Sequence, residues 1–210
     1  MALTVPPPRV PSGRDGHASW YARALGWTVL GGVPASLATG VRFDVLELPS
    51  DAGEAVLRGP VATGPVAVAG RRTLFLVAPG SAEELEGLLD WLEWSGVPLD
   101  LTARGAGGRI TAPVPPVLPV PGGSSRGAAV WLRPPERGCE ALLPALPGPG
   151  RSAGPARGPD LVRLVAAAAT ECHRARLRRR TPLRGAVDQP LAFSKASRMS
   201  AGTRPRSFTL

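Results

Sequence analysis

"GVRFDVLELP", residues 40–49, decides how this chain is read. Apolar and acidic residues alternate through it in the manner of a strand, and Pro49 stops the run. A strand places residues i and i+2 on one face, so Asp44 aligns with Leu46 and Glu47 points the other way. A bulge between them would bring Glu47 onto the Asp44 face. Asp100, near the start of a later strand, would lie beside Asp44 if those two strands pair. Three carboxylates so gathered would suit Mg²⁺ or Mn²⁺, the hard cations that bridge phosphate groups. Regular strand geometry keeps Asp44 and Glu47 apart.

Working outward, "HASWYARAL" (17–25) suits a short helix ended by Gly26, and "WTVL" (27–30) a strand. "SDAGEAVLRG" (50–59) predicts a helix, and "PVAVAGRRTLFLVAPG" (65–80) a hairpin turning at Gly70. In "SAEELEGLLDWLEWSG" (81–96), Ser81 and Glu84 form a capping box ahead of the stripe Leu85, Leu88, Leu89, Leu92. "LDLTARGAGGRITAPVPP" (99–116) reads as two short strands around a Gly-rich turn, and "AVWLRPP" (129–135) as an edge strand. Asp160 caps an Ala-rich helix with Leu161, Val165, Ala168, Cys172 and Ala175 on one face. The expected class is α/β or α+β, with a mixed sheet and flanking helices in one compact domain over 16–135. Residues 1–15 read as a loose N-terminus, 136–159 as a Pro/Gly linker, 160–180 as a separate basic helix and 181–210 as a flexible basic tail.

Composition supports that division. The 25 prolines and 26 glycines of the 210 residues concentrate in the presumed connections. Residues 160–210 carry ten arginines and Lys195 against Asp160, Glu171 and Asp188, which is eight of the nine net positive charges. Positive charge is therefore a property of the C-terminal end. Arg174, Arg176, Arg178, Arg179 and Arg180 would follow the phosphates of DNA with salt-sensitive, sequence-tolerant affinity. The run has no interleaved aromatic residue to stack bases, and an acidic protein partner would suit it equally. No apolar stretch is long enough for a membrane span and no secretory h-region opens the chain, so a cytoplasmic protein without membrane partners is expected.

Other chemistry is poorly supplied. Cys139 and Cys172 stand alone, without metal-ligand spacing. The two histidines, His17 and His173, have no nucleophile arranged around them. "RGAGGR" (104–109) lacks the phosphate-loop spacing, while Arg71 and Arg72 at the hairpin turn have the guanidinium chemistry to hold a phosphate.

Taken in order, "ALGWTVLGG" (24–32), "LATGVRFDVLELP" (37–49), "GRRTLFLVAPG" (70–80) and "LDLTARGAGGRITAPVPP" (99–116) resemble the bifunctional DNA primase/polymerase domain of actinobacteria and plasmids. That domain belongs to the archaeo-eukaryotic primase superfamily, and the resemblance covers roughly residues 17–135. It implies a metal strand carrying Asp-x-Asp or Asp-x-Glu, where Asp44 matches, Leu46 fills the second place and Glu47 falls one residue late. It implies a histidine touching the incoming nucleotide's phosphates, where this chain has Thr73 with Arg72 alongside. It implies a third metal-ligating acid, matched by Asp100. The catalytic set carried over is thus Asp44, Asp100 and Arg72, and the metal set is Asp44, Glu47 and Asp100. Three readings follow from so incomplete a set. The chain is a degenerate primase/polymerase that binds nucleic acid or a replication partner, an active Mg²⁺- or Mn²⁺-dependent enzyme rescued by a bulge, or a non-enzymatic scaffold acting through its basic end.

Overall fold

The structure, a computed structural model, describes residues 13–116, 128–147 and 159–180. The expectations that fall on 1–12, 117–127, 148–158 and 181–210 lie outside the described residues. No helix among those described is long and apolar enough to cross a membrane.

The architecture is α+β. Strand β3 (Asp44–Pro49) lies inside a five-stranded antiparallel sheet of order β6-β3-β5-β4-β8, with β4 at Val66–Ala69, β5 at Arg72–Val77, β6 at Thr102–Arg104 and β8 at Val130–Arg133. Both faces of β3 are covered, which is why its sequence is apolar at both parities. Leu46 and Leu48 enter one core with Ala52 and Val56 of helix α2 (Ser50–Arg58), Leu85 of α3 (Leu85–Trp91), and Leu161, Leu164, Val165, Ala168, Cys172 and Ala175 of α4 (Leu161–Arg180). Phe43 and Val45 enter a second core on the opposite face, with Tyr21, Trp27, Leu37, Leu74, Leu76 and Ile110. That face is closed by helix α1 (Gly13–Trp20), a π-helical turn at Tyr21–Leu25, and a small antiparallel sheet. Its strands are β1 (Val29–Leu30), β2 (Ser36–Ala38) and β7 (Arg109–Thr111), in the order β1-β2-β7. Tyr21 is fully buried and satisfied there, donating its hydroxyl to the Pro113 carbonyl at 2.6 Å and accepting from Trp131 Nε1 at 2.8 Å.

Helix α2, the β4–β5 hairpin, the edge strand β8 and the Asp160 cap all occur where their residues predict them. The Asp160 carboxylate accepts from the Val162 amide at 2.9 Å. Four expectations need correction. The 81–96 helix begins only at Leu85, because residues 81–84 form turns held by the Ala82 amide on Asp44, and no side-chain cap bond forms at the helix start. Strands β6 and β7 do not pair with each other. β6 pairs with β3 and β7 with β2, so the intervening glycines carry the chain from one sheet to the other. Both sheets are antiparallel throughout, not the mixed sheet expected, and they include strand β2 on "SLA", which carries no readable strand pattern of its own.

The fourth correction is to the domain boundary. The compact unit runs to Arg180, not to residue 135, because α4 buries seven residues, six of them in the helix-side core. Within the presumed 136–159 linker, Leu143 is buried, the Ala78 amide donates to the Pro144 carbonyl at 2.9 Å, and Ala145 bridges to Asp160. The basic helix is part of the fold.

Candidate functional site

Asp44 opens β3 on the helix-side face and is wholly buried. Its Oδ2 accepts from the Ala82 amide at 2.9 Å, while Oδ1 has no hydrogen-bond partner among the described residues. Burial pushes the carboxyl above its ordinary range, opposed by the Ala82 amide and reinforced by the charge of Glu83. Around it meet three loops. Thr39 donates its hydroxyl to the Gly105 carbonyl at 2.6 Å, and a Cβ on Gly40 (φ +85°) would stand 2.3 Å from Ala106 Cα. Asp44 therefore organises a junction of tight loops, with its second oxygen unspent.

Glu47 faces the other way. The register of β3 on β5 is unbroken from Asp44 opposite Val77 to Pro49 opposite Arg72, so no bulge turns Glu47 onto the Asp44 side. Both its oxygens are taken: Oε1 by Arg72 Nε at 2.9 Å and Oε2 by Arg104 Nε at 2.7 Å. The Arg72 Nη2 also donates to the Glu47 carbonyl, and Nη1 reaches Asp100 Oδ1 at 2.7 Å. Arg179 of α4 continues the chain to Asp100 at 3.9 Å and to Asp51 at the start of α2. Three acids and three arginines thus form one neutral belt that ties α4 and α2 to the far face of the sheet.

The donor set does not fit a pair of catalytic divalent cations. Asp44 stands on one face of β3 and Glu47 on the other, and Glu47 and Asp100 already hold guanidinium groups. No cluster of three or more metal-ligating side chains occurs among the described residues. Leu46, in the second carboxylate place, is fully buried. Thr73, in the histidine's place, is also buried, beneath α2, where a Cβ on Gly53 would meet its Oγ1 at 2.3 Å. A phosphate has no access to it.

The five arginines of the 174–180 run divide into two groups. Arg174 pairs with Glu171 at 2.6 Å, Arg176 donates to the Pro98 carbonyl, and Arg179 belongs to the belt. Arg178 and Arg180 are exposed and make no ion pair or hydrogen bond among the described residues. Upstream on α4, one aromatic side chain arrives from the segment after α3. Trp94 lies against His173, ring centroids 5.7 Å apart and planes tilted by 54°, and Trp91 is 71% exposed. Arg180 follows His173 by two helical turns on the same face, about 10 Å along the axis. Trp94 reaches α4 from a segment some eighty residues earlier in the chain. No signal in the sequence of α4 alone could have found that contact.

The two cysteines offer no ready nucleophile. Burial pushes the Cys172 thiol up to about 12 and the Cys139 thiol up to about 11. Comparison with protein-family models, curated proteins and solved structures finds no match to this chain.

Proposed function

We propose that this chain is a cytoplasmic, non-catalytic DNA-binding protein whose core is a degenerate primase/polymerase-like domain. The observation that carries this reading is the unspent charge of Arg178 and Arg180 on a helix whose His173 packs against Trp94, with Trp91 exposed on the neighbouring α3. Guanidinium groups neutralise phosphates without reading sequence, and the aromatic faces stack on unpaired bases, so a single strand is the form best suited. The order of the four resembling segments supports the relationship to primase/polymerases. The wiring of Glu47 and Asp100 to arginines argues against nucleotidyl transfer by the same core.

The test is binding of a fluorescent single-stranded DNA oligonucleotide at two salt concentrations. Arg178→Ala/Arg180→Ala lowers the salt slope by roughly 1.4, two phosphate contacts at about 0.7 each. Trp94→Ala weakens binding by about 1–3 kcal/mol, the usual worth of one stacked base. Unchanged affinity and slope in both variants would sink the proposal. Primer synthesis with Mn²⁺, abolished by Asp44→Ala, would replace it with the enzyme reading.

A further inference from the structure

At the opposite side of the sheet from α4, the π-helical turn at Tyr21–Leu25 and the loop at Gly138 enclose an open cleft of about 420 Å³. Its lining includes Arg23, Arg42, Arg137 and Glu140. Three cations meet one anion, and that anion is already engaged. Glu140 Oε1 accepts from Trp27 Nε1 at 2.7 Å, and its nearest guanidinium, Arg42, stands at 3.9 Å. Arg23 and Arg137 are exposed and have no ion pair or hydrogen bond among the described residues. The carbonyl end of the turn at Leu25–Gly26 attracts cations, but a helix end carries only about half an elementary charge. The cleft therefore keeps more than one uncompensated positive charge.

We infer that this cleft binds a multiply charged phosphate group, held by the guanidinium forks of Arg23, Arg42 and Arg137. Planar forks match phosphate oxygens in pairs, and the volume suits a ligand of that size. The charge comes either from a free oligophosphate or from successive singly charged phosphates of a nucleic-acid backbone.

Inorganic pyrophosphate, titrated into the full chain at low salt, is the probe. Trp27 is the reporter, because its indole N–H is bonded to a carboxylate of the cleft. Its Nε1–H cross-peak, assigned by loss in Trp27→Phe, should shift with a dissociation constant below about 1 mM. Arg23→Ala/Arg137→Ala removes two exposed, unpaired side chains and should weaken binding at least tenfold, whereas Arg178→Ala/Arg180→Ala leaves it unchanged. A single-stranded oligonucleotide that moves the same peak and competes with pyrophosphate identifies the backbone as the source. An oligonucleotide that leaves the peak in place identifies a free phosphate. An unmoved Trp27 peak, or equal pyrophosphate affinity in the Arg23/Arg137 variant, overturns the inference whatever the DNA-binding test shows.

Discussion

Leu46 and Asp44 share one face of β3, and their contrast bears on the loss of nucleotidyl transfer. Leu46 is fully enclosed by apolar neighbours of the helix-side core, so Leu46→Asp would bury a carboxylate with no cation beside it. The cost is several kcal/mol, a large part of a stability of about 5–15 kcal/mol. The expected outcome is loss of cooperative thermal unfolding rather than gain of Mn²⁺ binding. Asp44 itself makes stability depend on pH. Its carboxyl titrates above the ordinary 3.8 when folded, so its contribution is full below that value. That contribution is lost as pH rises through the folded value. Asp44→Asn removes the charge that must otherwise be buried. Urea midpoints measured from pH 4 upward should fall less steeply for Asp44→Asn than for the wild type. Parallel curves would show that the carboxyl is not strained by burial. The strand identity of these residues was legible from alternation, and so was the separation of Asp44 from Glu47. The guanidinium partners of Glu47 were not, since Arg72 and Arg104 lie 25 and 57 residues away.

Among the elements, α2 was readable from its own residues because its boundary signals are local: Pro49 before it, Asp51 in its first turn, Gly59 after it. Its distance from the sheet was not readable. Gly53 lets α2 approach β5 so closely that an added Cβ would stand 2.4 Å from Thr73 Cβ, an atom that cannot swing aside. Gly53→Ala gains about 1 kcal/mol of helix propensity and loses about 3 to overpacking, a net destabilisation near 2 kcal/mol. Chemical denaturation measures it, and a neutral or stabilising result would mean that α2 shifts freely. The α3 start was misplaced for a related reason. The capping-box pattern at Ser81 and Glu84 is local, but the Ala82 amide is claimed by Asp44, 38 residues earlier. The β6–β7 segment shows the same limit, since strand propensity in two short runs carries no information about which sheet each run joins.

For the whole molecule, the position of α4 decides whether charge and fold are separable. Its apolar face holds Leu161, Leu164, Val165, Ala168, Ala169, Cys172 and Ala175, all buried, and it contacts both α2 and α3. A chain ending at residue 135 would expose the helix-side face of the sheet, and should show neither dispersed amide resonances nor a cooperative melt. A cooperative melt from residues 1–135 would show that α4 is an accessory. By itself the sequence determined the strand at 44–49, the hairpin after it, the amphipathic helix capped by Asp160 and the concentration of charge at the C-terminal end. Each of these rests on residues within a few positions of one another, where propensity, capping and periodicity act. Only the tertiary structure decided that Glu47 and Asp100 are bound to arginines, that Trp94 stands beside His173, and that Arg178 and Arg180 are left over. Those outcomes depend on which distant side chains compete for the same carboxylate or the same surface, and short-range patterns in the chain do not encode that competition.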